Sequence, residues 1–248
     1  MRCHFFGLTD TGRVRSNNED SIAIEADVGM AVLADGMGGY KAGEVASAMA
    51  TQLIGERMRD WLRSTDAAPQ EVGRALRDTV QAANLAIFET ARSHLECEGM
   101  GTTLVLALFL NGRALIGHVG DARAYRLRRG TLAPLTRDHS LLQEQVDAGL
   151  ISPEWARMAT YRNIVTRAVG VEPVVRFDLA EHEVLDGDLF LLCSDGLHDM
   201  LSDDTIAALL MAIPDLPTAA QALLDAANEA GGRDNISVIL AKCDDRSD

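Results

Sequence analysis

Hydrophobic positions recur along this chain with two periods, and the places where the period changes mark out its elements. Cys3 to Thr9 has the character of a strand, and a polar loop from Arg13 to Asp20 follows it. Ser21 to Glu25 and Gly29 to Ala34 predict a strand pair, the second an apolar run that ends in Asp35-Gly36-Met37-Gly38-Gly39. From Gly43 the spacing turns helical: Val45, Met49 and Leu53 recur, with Ala46, Ala50 and Ile54 beside them. After a break around Thr65 to Pro69, a longer amphipathic helix carries Val72, Leu76, Val80, Ala83, Ile87, Ala91 and Leu95. These stripes are core.

Thr102 to Leu110 and Arg113 to Val119 return to strand, joined by the hairpin signal Asn111-Gly112. Ala122 to Leu127 follows Gly120-Asp121, and Arg129-Gly130 turns it into Leu132 to Leu135. Thr136 to Gly170 breaks the pattern, with Leu141, Leu142, Val146 and Leu150 on a short helix and Ser152-Pro153-Glu154 opening another. This stretch is an inserted lobe rather than sheet. Strands resume at Val174 to Leu179 and Asp188 to Cys193, helices at Asp203 to Ala212 and Pro217 to Ala230, and a last strand at Ile236 to Lys242. Helix pairs between blocks of strands predict an α+β fold, an antiparallel sandwich with helices outside, over a parallel α/β sheet.

Composition narrows this further. With 248 residues and 47% hydrophobic content the chain can bury a full core as one domain, 1–248, and it carries no linker, repeat or low-complexity tract. A net charge of -14 argues against nucleic acid or an anionic membrane as partner, since phosphates would meet repulsion across most of the surface. The longest apolar run, Leu104 to Leu110, is too short to span a bilayer, and the N-terminus lacks the apolar length of a signal peptide. A soluble, cytoplasmic monomer is expected. Cys3, Cys97, Cys193 and Cys243 form no C-x-x-C pair and are expected as reduced thiols.

The candidate chemistry is acidic. Asp35 stands at a strand end before a glycine-rich turn, a pattern that an ordinary Asp-Gly turn would also produce. Three similar places shift the balance: Asp20 closes Asn17-Asn18-Glu19-Asp20, Asp195 follows an apolar run in Leu192-Cys193-Ser194-Asp195-Gly196, and Asp234 precedes another. Carboxylates at several strand ends, without histidine or cysteine ligand spacing, suit a hard oxygen-ligated cation such as magnesium or manganese. Taken alone, Arg15 is a solvated arginine and Asp121 a turn residue. None of the cysteines has the following arginine of a cysteine-nucleophile phosphatase. Leu192 stands where a nucleophile elbow around Ser194 needs glycine, and there is no P-loop.

The ordered set Arg15-x-x-x-Glu19-Asp20, Asp35-Gly36-Met37-Gly38-Gly39, Gly120-Asp121-Ala122-Arg123, Asp195-Gly196-Leu197 and Gly232-x-Asp234-Asn235 closely resembles the protein phosphatase 2C family in its bacterial single-domain form. The likeness runs from about Phe6 to Leu240, nearly the whole chain. It implies a four-layer αββα sandwich and a metal-dependent protein serine/threonine phosphatase. By position it makes Asp35 the carboxylate between two metal ions and Gly36 a carbonyl ligand. Asp195 and Asp234 would complete one metal site, Glu19 and Asp20 would serve the other directly or through water, and Asp121 would help hold a third, weaker ion. Arg15 would hold the substrate phosphate, and an insert spanning roughly 137–170, its mobile part from about His139 to Arg162, would be the flap.

The implied cofactors are two manganese or magnesium ions, which turn a bridging water into the hydroxide that attacks phosphorus, with no phosphoenzyme. The implied partners are phosphorylated proteins, a eukaryotic-like serine/threonine kinase and its substrates among them. Met37 departs from the histidine of many eukaryotic members, leaving metal-bound water to protonate the leaving group. Two other classes stay open, a metal-stabilised phosphopeptide-binding module without turnover and a nucleotide-binding protein. The filled carboxylate positions count against the first and the scarcity of basic residues near the glycine loop against the second.

Overall fold

The computed structural model describes residues 1–39, 42–65, 68–159 and 164–245. Three strands open it, β1 (Arg2–Asp10), β2 (Asp20–Glu25) and β3 (Met30–Met37), and two long helices follow, α1 (Ala42–Ser64) and α2 (Pro69–Ser93). Next come β4 (Gly101–Thr102), β5 (Leu104–Leu110), β6 (Arg113–Val119), β7 (Arg123–Arg128) and β8 (Thr131–Pro134). The inserted lobe carries α3 (Leu141–Asp147) and α4 (Pro153–Met158). The chain ends with β9 (Asp178–Glu183), β10 (Leu189–Cys193), α5 (Asp195–His198), α6 (Asp203–Ala212), α7 (Leu216–Glu229) and β11 (Ile236–Asp244).

Every named pairing is antiparallel. One sheet runs β1-β11-β10-β7-β8, the other β2-β3-β5-β6-β9 with β4 attached to β3. Their continuous apolar runs make sense in this setting, because both faces of the central strands are covered. Ala31, Leu33, Val105 and Ile116 meet Phe190, Leu192 and Ile239 between the sheets. Their neighbours in sequence point the other way: Val32, Leu106 and Leu108 pack under Ala46, Ile54, Leu76 and Ile87 of α1 and α2. On the far side Leu191, Val238 and Leu240 pack under Ile206, Leu223 and Ala227 of α6 and α7. The result is the four-layer αββα sandwich.

Several elements differ from expectation. β3 does not stop at Ala34 but continues through Asp35 and Gly36 to Met37, because β4 supplies partners, Thr102 for Gly36 and Gly101 for Met37. For the same reason the expected strand from Thr102 is split at Thr103, whose N–H turns to the Asp35 carbonyl at 2.8 Å. The strand expected at Val174 to Leu179 lies later, at β9. Backbone carbonyls before it go to side chains of α2 instead, Pro173 O to Gln81 at 2.9 Å and Phe177 O to Arg77 at 2.9 Å. Directly after β10, Asp195-Gly196-Leu197 opens the single helical turn of α5, an element the periodicity does not mark. Cys3 and Cys243 are not free thiols: they face each other in the β1–β11 ladder and form a disulfide, while Cys97 and Cys193 stay free and buried. Part of the expected flap, residues 160–163 with Arg162, lies outside the described residues, as do residues 66 and 67 of the expected interhelical break.

Among the described residues, no helix is long and apolar enough to cross a membrane.

Candidate metal centre

At one edge of the sandwich the strand ends of both sheets converge. Asp20 begins β2 directly opposite Asp35 on β3. Asp20 Oδ2 accepts a 2.8 Å hydrogen bond from Ser194 Oγ, and Ser194 N-caps α5 at the end of β10, so the first carboxylate is tied to the other sheet. Ser194 Oγ also accepts from Ser237 N at 3.0 Å. This wholly buried hydroxyl is spent on structure and is no nucleophile. Asp35 is held through its backbone: its carbonyl accepts from Thr103 N and Thr102 Oγ1, each at 2.8 Å, and its N–H donates to Thr103 Oγ1 at 3.1 Å.

Close backbone approach explains two of the motif glycines. A Cβ on Gly36 would sit 2.0 Å from the Gly43 carbonyl oxygen, and one on Gly196 would sit 2.0 Å from that of Asn235. No side chain fits either place, so Asp35 and Asp195 can each approach the centre only with glycine as the next residue.

Asn235, quoted within a motif but assigned no task, organises the approach. Its Nδ2 donates to the Thr11 and Asn17 carbonyls, both at 2.9 Å, and its Oδ1 accepts from Glu19 N at 2.8 Å. The polar loop before β2 is thereby fastened to the start of β11. The loop's two acids then part: Glu19 takes a hydrogen bond from Asn17 Nδ2 at 3.1 Å and lies against Gly43 of α1, whereas Asp20 faces the other carboxylates.

The charges are crowded. Burial is the main cause that raises the carboxyls of Asp35 and Asp195 well above the usual range, and the surrounding aspartates, Asp20, Asp121 and Asp234 among them, add to it. Burial likewise brings Asp20 up to about 6 and Asp121 up to about 7, the latter with help from Asp138. Nearby guanidiniums are already engaged. Arg15 Nη2 donates to Asp234 Oδ2 at 2.6 Å, which raises the Arg15 pKa, and Arg123 grips Asp138. Convergent carboxylates with so little protein cation among them form an oxygen-donor set that suits hard divalent cations. Arg15, Asp20, Asp35, Asp121, Asp195 and Asp234 are thus brought together, Gly36 lies beside them in the ladder, and Glu19 stands at the rim.

Histidines do not replace the one that Met37 displaces. His118 Nε2 pairs with the Arg137 carbonyl at 2.8 Å, and His198 Nε2 with that of Asp121 at 3.1 Å. His118, His139 and Asp178 offer atoms within 4.8 Å of one another, as a metal site would. Yet Gly120 N–H donates to His139 Nδ1 at 3.1 Å, and Nε2 is already shared between Asp178 Oδ2 at 3.2 Å and Arg167 Nη1 at 3.1 Å. Both ring nitrogens are engaged, and a cation there would meet the Arg167 guanidinium. This group is a latch joining the base of the flap to β9.

The chain is similar to known proteins over nearly its whole length. A family model described as Protein phosphatase 2C matches residues 11–240. The serine/threonine phosphatase stp of Listeria monocytogenes is 38% identical over 239 residues, covering 95% of this chain and 94% of that protein. The serine/threonine protein phosphatase PstP of Mycobacterium tuberculosis is 40% identical over 241 residues, 94% of this chain but 43% of the longer relative. A crystal structure of the Mycobacterium tuberculosis phosphatase PstP/Ppp superposes with a TM-score of 0.91 at 38% identity, covering 98% of this chain and 100% of that one. The PstP catalytic domain in complex with 2 manganese ions gives 0.87 at 38% identity, covering 98% and 99%.

Proposed function

The chain belongs to the protein phosphatase 2C family, and on that premise we propose that it removes phosphate from phosphoserine and phosphothreonine in proteins with divalent cations held at the sheet edge. The observation that carries this is the convergence of Asp20, Asp35 and Asp195, buried and mutually repelling, with Asp121 and Asp234 beside them. Clustered acids of this kind serve no packing purpose, and divalent charge relieves their repulsion.

When bound, a pair of such cations supplies positive charge to phosphoryl oxygens and acidifies water at neutral pH. In this assignment Asp35, with the Gly36 carbonyl beside it, would help hold both ions. Asp195 and Asp234 would hold one, Asp20 the other with Glu19 at its edge, and Asp121 would contribute to a third, weaker position. Manganese is the favoured ion over magnesium, in line with the relative whose catalytic domain is described with 2 manganese ions.

Arg15 stands at the exposed rim, where its guanidinium can bind phosphate oxygens and orient them toward the carboxylate cluster. Direct hydrolysis is supported by the state of two nearby candidate nucleophiles. The Ser194 hydroxyl is committed to Asp20, and burial pushes the Cys193 thiol up to about 12, so neither can form a covalent intermediate. Met37 carries no proton for the leaving group, which leaves that task to solvent. The substrates are phosphorylated proteins made by a serine/threonine kinase of the eukaryotic-like type.

The deciding experiment measures phosphate release from p-nitrophenyl phosphate and from a phosphothreonine peptide, with manganese and after exhaustive chelation. Asp35→Asn and Asp234→Asn should abolish turnover while circular dichroism reports a folded protein. Undiminished turnover without metal, or none with it, would overturn the assignment.

A further inference from the structure

Beside the carboxylate cluster a cavity of about 830 Å³ opens between the flap and the segment from α5 to α6. Asp121 and Asp195 are among its lining residues, so the cavity adjoins the carboxylate cluster. On the flap side Leu142, Val146, Pro153 and Ala156 form an apolar patch among the polar residues Arg137, Asp138, Ser140 and Gln143. The opposite wall ends in Asp203 and Asp204, both exposed on the first turn of α6.

The guanidiniums in the wall are spoken for. Arg123 Nε and Nη2 donate to Asp138 at 2.8 and 2.6 Å, and Arg137 Nε donates to Asp147 at 2.8 Å. Arg123 Nη1 also donates to Tyr125 Oη at 3.0 Å, and that hydroxyl in turn donates to Asp203 Oδ1 at 3.2 Å. The Asp203 carboxylate is therefore positioned by a buried tyrosine and not merely present on a surface. Acids in the first turn of a helix also favour its dipole, which accounts for their place on α6 but not for the cavity before them or the tether from Tyr125. An apolar patch in one cavity with the tethered Asp203 and its neighbour Asp204 suits one kind of side chain, a long aliphatic stem with a cationic end.

We propose that this cavity receives the substrate polypeptide next to its phosphorylated residue and selects lysine or arginine there. This rests on the phosphatase assignment above and names the substrate class within it. Acidic flanking residues would be repelled by Asp203 and Asp204, and the repulsion would fade as salt screens it.

The test compares two phosphothreonine peptides identical but for flanking Lys/Arg in one and Glu in the other, hydrolysed by the manganese-loaded full chain. The ratio of their kcat/KM values is read within each protein, so differences in overall activity cancel. In wild type the basic peptide should be favoured about tenfold at low salt, and less as salt rises. Asp203→Asn/Asp204→Asn should bring the ratio to about one, and Asp204→Lys should invert it. A wild-type ratio near one, or a ratio that both variants retain, would overturn the proposal. Failure of the phosphatase assignment would look different, as no phosphate release from either peptide or from p-nitrophenyl phosphate.

Discussion

Arg15 Nη2 meets Asp234 Oδ2 at 2.6 Å, joining two loops 219 positions apart in sequence. The arginine is half exposed, and one donor of its fork is used by a carboxylate of the cluster. Its remaining donors are available to a phosphate bound in both ground and transition states. Arg15→Ala should therefore raise KM by about tenfold and lower kcat less, with Arg15→Lys in between. Steady-state kinetics on a phosphopeptide give the answer, and values unchanged for both constants would leave Arg15 a structural tie alone.

The raised carboxyls set the response to pH. Asp20 titrates at about 6 and Asp121 at about 7 in the fold, whereas both ionise near the ordinary value of about 4 when the chain is unfolded. Across that window the folded protein holds more protons than the unfolded one, so these groups make the metal-free protein less stable as pH rises. Divalent cations keep the same groups ionised, and their stabilising effect should grow with pH. Thermal melts from about pH 5 to about pH 8 should show the chelated protein's Tm falling and the manganese-induced increase in Tm widening. A manganese increment that does not vary with pH would contradict the carboxylate cluster as the binding site.

Removing the Asn235 side chain should cost more than its size suggests. Asn235→Ala strands the Thr11 and Asn17 carbonyls and the Glu19 N–H, all satisfied by one side chain at present. With each abandoned buried group costing about 1–3 kcal/mol and some rescue by water, a loss of about 3 kcal/mol in urea unfolding is expected. Manganese affinity, followed by calorimetry, should weaken too, because the loop carries Asp20. Intact affinity in a destabilised variant would show that Asn235 supports the fold and not the site.

The Cys3–Cys243 disulfide joins the first and last strands, 240 positions apart. Closing so long a loop constrains the unfolded chain strongly, and Cys243→Ser should lower stability by about 3–5 kcal/mol under non-reducing conditions. Addition of a reductant should produce the same loss in wild type. Four titratable thiols in the denatured, unreduced protein would show the bridge to be absent.

Local chemistry along the chain determined much of this protein. Turn signals such as Asn111-Gly112 and the switch between strand and helix periods located most elements, because they express the conformational preferences of a few adjacent residues. The candidate acids were legible for a related reason. A carboxylate beside glycine at the end of an apolar run is conspicuous in sequence, and Gly36 and Gly196 proved necessary for backbone contact.

Only the tertiary structure decided which of these residues act together. Asp20 faces the cluster while the adjacent Glu19 turns to α1, a choice set by Asn235 from the far end of the chain. β3 runs on through Asp35 because a two-residue strand, β4, supplies its partners, and β9 begins late because α2 side chains take the carbonyls ahead of it. The pairing of Cys3 with Cys243 depends on strand register, which spacing between the cysteines does not reveal. In each case the deciding energy comes from hydrogen bonds or burial between segments far apart in sequence, and local propensities carry no information about such partners until the chain has folded.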